Sequence, residues 1–82
     1  MEIRYKAEAI KQLQKIGAID KKKAKKKLEL LSTNPLEGKP LQGQLKGLRS
    51  LRAWPLRIIY TFDQKHNLII IETVDYRGDV YK

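Results

Sequence analysis

The sequence predicts a small α+β domain, two N-terminal helices packed on an antiparallel sheet in β-α-α-β-β-β order, from three observations. Apolar residues recur at helical spacing before Asn34, they alternate or run together as strands do from Leu48 onward, and 82 residues leave room for one core. A chain this short buries only about 60% of the surface its unfolded form exposes, so the core is thin. Residues 1–82 are therefore expected to form a single domain, with little stability to spare for unpaired charge.

Ile3, Arg4 and Tyr5 form a short first strand, and Ala9, Ile10, Leu13 and Ile16 then fall on one face of a helix of about ten residues. Gly17 is its stop signal. Asp20 is an N-cap candidate for a second helix with Ala24, Leu28 and Leu31 on one face, ended by Asn34-Pro35. Residues 36–46, LEGKPLQGQLK, carry Gly38, Pro40 and Gly43 and read as a loop. The strands that follow are LRSLRA, LRIIYTF and LIIIETV, with DQKHN as the turn between the last two. If Ala53-Trp54-Pro55-Leu56 closes a hairpin, Arg52 and Arg57 become direct cross-strand neighbours, with Cβ atoms about 4.5–5.5 Å apart, and like charges so placed destabilise. Leu56, Ile58, Tyr60 and Phe62 then face the helices, and Arg57, Ile59 and Thr61 face the other way.

Charge narrows the functional classes. Eighteen Lys and Arg stand against nine Asp and Glu, a net charge of +9, which points to a polyanionic partner: nucleic acid, an anionic membrane or an acidic protein. No apolar run approaches the roughly 18 residues of a spanning helix, and MEIRYKAEAI lacks a signal-peptide layout, so a cytoplasmic protein is expected. The sequence has no Cys and one histidine, His66 in a polar turn, which argues against a disulfide framework, a thiolate or histidine metal site, or a histidine triad. No metal and no cofactor are expected, and any catalysis falls to Arg, Lys, Tyr and the few carboxylates.

Between Gly38 and Phe62 there is no acidic residue, but there are Lys39, Lys46, Arg49, Arg52 and Arg57, the pattern of a phosphate-binding surface. Arg57 either stands open on that surface or pairs with Glu72 or Asp75 of the neighbouring strand. Lysines 21, 22, 23, 25, 26 and 27 form a second cluster, the first three in the opening turn of a helix, where the macrodipole disfavours positive charge. They read either as an auxiliary contact surface or as a solvated helix face. In the closing segment, Arg77 and Tyr81 beside Arg57 would combine charge stabilisation of a phosphate with a phenol able to stack or to exchange a proton; Val80 and Tyr81 could equally close the core.

The sequence resembles the RelE/ParE toxins of type II toxin–antitoxin systems, most closely the RelE branch. The resemblance runs through the Ile3-Arg4-Tyr5 strand, helices ending in Asn34-Pro35, Leu45-Lys46-Gly47-Leu48, Leu51-Arg52, Leu56-Arg57-Ile58-Ile59-Tyr60 and the closing Arg77-Gly78-Asp79-Val80-Tyr81. It implies a metal-independent endoribonuclease that enters the 30S A site of the ribosome, cuts mRNA through its 2′-hydroxyl and so inhibits translation. By the same resemblance Arg57 stabilises the developing phosphorane charge, Tyr81 holds or activates the 2′-hydroxyl, and Arg77 is the basic residue before it. Lys46, Arg49 and Arg52 fall where the family grips the RNA backbone, with Lys23 and Lys26 as further RNA-binding candidates. The implied partner is an acidic antitoxin, through which alone operator DNA would be met. Many relatives carry His where this chain has Tyr76, and Gly-Asp-Tyr where it has Trp54-Pro55-Leu56. The ParE branch, which inhibits DNA gyrase, and a basic nucleic-acid-binding module without catalysis are the alternatives; retention of Arg57 and Tyr81 favours the nuclease.

Overall fold

The computed structural model describes residues 1–76. Its elements are β1 (Glu2–Tyr5), α1 (Ala7–Lys15), α2 (Ala18–Thr33), β2 (Lys39–Pro40), a 3₁₀ turn at Gly43–Leu45, β3 (Arg49–Ala53), β4 (Leu56–Asp63) and β5 (Leu68–Tyr76). The α+β class and the expected order are found, with the two-residue β2 and the 3₁₀ turn added within the segment 36–46 read as a loop, and the sheet runs β1-β5-β4-β3-β2. Strands β2 to β5 pair antiparallel, whereas β1 lies parallel to β5, so the sheet is mixed. No turn links β1 to β5; the elements between them supply the crossover that parallel pairing needs.

One face of the sheet is covered by both helices. Ala9 and Ile16 of the α1 segment and Ala24, Leu28 and Leu31 of α2 pack on Leu51, Ala53, Leu56, Ile58, Tyr60, Ile69, Ile71 and Val74. Along β4 the even positions enter this core, as the alternation predicts, with Phe62 packed at its margin. Where Ile59 pairs with Thr73 and Tyr60 with Ile71, Glu72 is left as a bulge on β5, and its carboxylate meets Lys6 Nζ at 2.9 Å.

The start of α2 differs from the sequence reading. The helix begins at Ala18 with Gly17 at its cap position and no side-chain capping bond, so Asp20 lies within the first turn. There its charge still suits the helix dipole, and its carboxylate accepts a hydrogen bond from the Tyr76 hydroxyl at 3.3 Å. The far end is as expected, with Asn34 N–H donating to Leu30 O at 2.9 Å before Pro35.

β1 covers the outer edge of β5 only from Leu68 to Ile71. Beyond that point Gln12 of α1 takes over: its Oε1 accepts the Val74 N–H at 2.7 Å and its Nε2 donates to Asp75 Oδ2 at 3.3 Å. A side chain thus blunts an edge that would otherwise offer free backbone groups.

The loop after α2 is held by one buried phenol. Tyr60, 0% exposed, donates its hydroxyl to Pro35 O at 2.8 Å and accepts the Gly38 N–H at 2.8 Å. A Cβ at Gly38 would stand 2.7 Å from the Tyr60 ring and hydroxyl, so this close approach needs glycine. Arg49 Nη1 completes the clamp, donating to Gly38 O at 2.7 Å and Leu36 O at 3.4 Å. Burial pushes the Tyr60 phenol pKa up, opposed by the Gly38 N–H and the Arg49 charge. Further along, Gly43 and Gly47 turn the chain at φ +69° and +96°, a region that glycine enters without a Cβ penalty.

Replacing Tyr60 by Phe keeps the ring but leaves the Gly38 N–H and Pro35 carbonyl unsatisfied. Urea unfolding should show a loss of about 1–3 kcal/mol. Because the folded phenol titrates above its ordinary value of 10.0, the unfolded chain ionises first as pH rises past that value. Wild-type stability then falls while the Phe variant escapes this loss, so the gap between the two should be constant below about pH 10 and narrow above it.

Candidate nucleic-acid interface

The β3–β4 hairpin turns on two residues, Trp54 and Pro55, whose peptide bond is cis, and pairs Ala53 with Leu56 and Arg52 with Arg57. The arginine pairing expected from the sequence is therefore in register. On the other side of Arg57 the in-register neighbour is Asp75 of β5, so one row across the sheet reads Arg52, Arg57, Asp75. The second row on this face reads Lys39, Ser50, Ile59, Thr73.

These rows form the sheet face opposite the helices. Arg52 and Lys39 are exposed and Arg57 is half-buried. Ile59, only 4% exposed, gives the cations an apolar floor. Of the two acids considered as partners for Arg57, Glu72 is engaged by Lys6, and Asp75 is the cross-strand neighbour. The Asp75 carboxylate is itself held on both oxygens, by Gln12 Nε2 and by the Tyr76 N–H at 2.8 Å.

The other basic candidates are distributed differently. Arg49 lies three positions before Arg52 on a regular strand, so it faces the helix side, where its Nη1 is spent on the loop carbonyls. Lys46 is exposed just after the 3₁₀ turn, and Lys23 and Lys26 are exposed on α2. The fold thus brings Arg52 and Arg57 together, adds Lys39, and leaves Lys23 and Lys26 in the helical layer. Arg77 and Tyr81 lie outside the described residues. Lys39 belongs to the basic stretch that the sequence marks as phosphate-binding, whereas Gln12 is not a site candidate in the sequence reading. Gln12 did carry a signal, sitting three after Ala9 and four before Ile16 on the apolar stripe of α1.

Tyr76, at the position where many RelE-like chains carry His, pairs across from the buried Leu56 and donates its hydroxyl to Asp20. Desolvation, with the Asp20 and Asp75 charges, pushes its pKa up. His66 is a surface residue as expected, its Nδ1 2.7 Å from Asp63 Oδ2, and that hydrogen bond holds the Asp63 carboxyl below the usual range.

A second surface feature lies between the helices. Tyr5, Ile10, Leu13 and Leu28 floor a groove of about 350 Å³ that Gln14, Lys21 and Lys25 rim. Among the described residues no helix is long and apolar enough to cross a membrane.

Two helices cover one face of a five-stranded sheet, and the opposite face carries Arg52 and Arg57 in register; the comparisons return a family of this fold. The family model described as ParE toxin of type II toxin-antitoxin system, parDE, matches residues 3–81. Toxin RelG of Mycobacterium tuberculosis (strain ATCC 25618 / H37Rv) is 42% identical over 53 residues, 63% of this chain and 61% of RelG; the chain therefore spans less than two thirds of that curated relative. The toxin–antitoxin complex RelBE2 from Mycobacterium tuberculosis contains a chain of TM-score 0.86 and 31% identity, with 93% of this chain and 96% of that one covered. In the intact E. coli RelBE toxin–antitoxin complex the corresponding values are 0.79, 21%, 94% and 96%, a likeness of fold. The chain belongs to the ParE toxin family of type II toxin–antitoxin systems, within the RelE/ParE group that its motifs resemble.

Because Arg52 opposes Arg57, Arg52→Glu should turn repulsion into attraction and raise stability by about 0.2–1 kcal/mol. Thermal unfolding should show the gain near 0.01 M salt and lose most of it at about 1 M, where the screening length falls to roughly 3 Å. Affinity for polyanions should drop in the same variant.

Proposed function

We propose that this toxin is a metal-independent, ribosome-dependent endoribonuclease that cuts mRNA in the 30S A site and so stops translation in the cytoplasm. The observation that carries the reading is the Arg52–Arg57 pair, in register on the sheet face opposite the helices with Lys39 in the adjacent row. Like charges so close are disfavoured in a thin-cored domain and become favourable against a phosphate.

On this reading the RNA backbone crosses the face opposite the helices, with Arg52 and Lys39 on phosphates and Lys46 extending the track. Arg57 donates to the non-bridging oxygens of the scissile phosphate as negative charge accumulates on them. The 2′-oxygen attacks the adjacent phosphorus, the bond to the 5′-oxygen breaks, and the proton lost by the 2′-hydroxyl is balanced by one delivered to the leaving oxygen. Tyr81 holds the 2′-hydroxyl and Arg77 adds positive charge. The engagement of Tyr76 by Asp20 supports giving the phenol's role to Tyr81. Arg49, Lys23 and Lys26 contribute mainly to the field that attracts RNA.

An acidic antitoxin is the proposed protein partner, with operator DNA met only through it. The apolar floor and lysine rim of the α1–α2 groove suit one face of an acidic amphipathic segment that folds on binding. The ParE description of the matching family model favours a second reading, inhibition of DNA gyrase. Mapping mRNA 5′ ends after brief induction separates the two: clustered new ends support the nuclease, and their absence together with inhibited supercoiling by purified gyrase supports the alternative.

Arg57→Ala should lower single-turnover cleavage on programmed ribosomes about 10²-fold or more. Its unfolding should remain cooperative. For Tyr81, Phe retaining activity that Ala loses would indicate stacking, whereas equal impairment of the chemical step, with binding kept by Phe, would indicate a role for the hydroxyl.

A further inference from the structure

We propose that Trp54 is a nucleobase-stacking residue, receiving one base of the RNA strand whose phosphates meet Arg52 and Arg57. The inference rests on the RNA-cleavage reading and adds to it a contact with a base. Trp54 occupies the two-residue turn between β3 and β4 and is 59% exposed, although tryptophan is among the most buried residue types on average. It lies outside the helix-facing core to which Leu51, Ala53, Leu56 and Ile58 belong.

Its surroundings decide what the ring meets. Arg52 precedes it by two residues, at most about 7 Å of chain, and pairs with Arg57 immediately below the turn. A nucleotide carries its phosphate and its base on one ribose, and a protein that grips both needs a cation and an aromatic face that close together. Every formally charged residue between Gly38 and Phe62 is basic, so the local field favours a polyanion over a neutral or basic protein surface. Stacking accepts any base, because each has a π-face, so Trp54 adds grip and register while leaving base identity to other contacts.

Trp54 is the only tryptophan in the chain, so its fluorescence reports directly on the ring. The full-length protein is titrated at low salt with a single-stranded 2′-O-methyl RNA oligonucleotide, which cannot be cleaved, and with an abasic strand of equal length. The oligonucleotide should quench Trp54 and the abasic strand should not. By anisotropy of a labelled oligonucleotide, Trp54→Ala should bind about ten-fold more weakly and Trp54→Phe nearly as well as wild type. Thermal unfolding of both variants identifies any loss that is merely structural. Unchanged affinity in folded Trp54→Ala, equal quenching by the abasic strand, or a folded Phe variant as weak as Ala would overturn the inference; so would quenching caused by an acidic antitoxin and not by RNA. If mRNA is still cut in a translating extract while any of these holds, only the stacking role fails. If neither cleavage nor RNA binding is seen, the nuclease reading fails and the stacking role with it.

Discussion

The buried hydroxyl of Tyr60 is satisfied by Pro35 O and the Gly38 N–H, and this requirement ties the central strand to the loop that follows the helices. A buried phenol without partners is costly, and its two partners sit at one place along the sheet. Because side chains alternate strictly along a strand, a slip of one residue would expose Tyr60, Leu56 and Ile58 and turn Arg57 into the core. The same contact that anchors the loop therefore keeps Arg57 on the face opposite the helices. Site and core are two sides of one register.

The basic residues are divided by kind as well as by place. Strands β3 and β4 use arginine at 49, 52 and 57, whereas lysine serves β2 at 39, the turn before β3 at 46 and α2 at 21–23 and 25–27. Guanidinium presents a planar fork of donors and tolerates partial burial, while ammonium is a strongly hydrated point charge on a flexible stem. Arg49 shows the fork used inside the fold, on the carbonyls of Gly38 and Leu36. Arg52 stands exposed on the opposite face with Arg57 half-buried beside it, and the lysines of α2 set a broad positive potential. A domain with a thin core can carry a net charge of +9 because most of that charge remains hydrated.

Long-range polar contacts hold the end of β5, from which the chain leads into Arg77 and Tyr81. Gln12 satisfies the Val74 N–H and holds Asp75, and Asp20 receives the Tyr76 hydroxyl. Both helices thus brace the last described residues of the sheet, on the strand that borders Arg57. In this family member the tyrosine at the position of a common histidine serves as a tie to α2, which concentrates the chemistry proposed for the site on arginine and on the tyrosine further along.

Local pattern determined much of this molecule. The alternation in LRIIYTF, the turn residues of DQKHN and the two-residue spacing between Ala53 and Leu56 determined β4, β5 and the facing arginines, since each depends on neighbours a few positions away. The family motifs, read in order, were enough to indicate a RelE/ParE toxin. What tertiary structure alone decided involves partners far apart in the chain. The parallel pairing of β1 with β5 has no connecting turn to announce it, and the two-residue β2 exists only because β3 lies beside it. Asp20 looked like a helix cap because Ser, Thr, Asn and Asp usually are; its partner, Tyr76, is 56 residues away. Arg49 and Arg52 looked alike in a basic stretch, and the pleat sent them to opposite faces, one to hold a loop and the other to stand against Arg57. Sequence spacing carries the period of a strand, but which face is covered depends on the helices that pack against it.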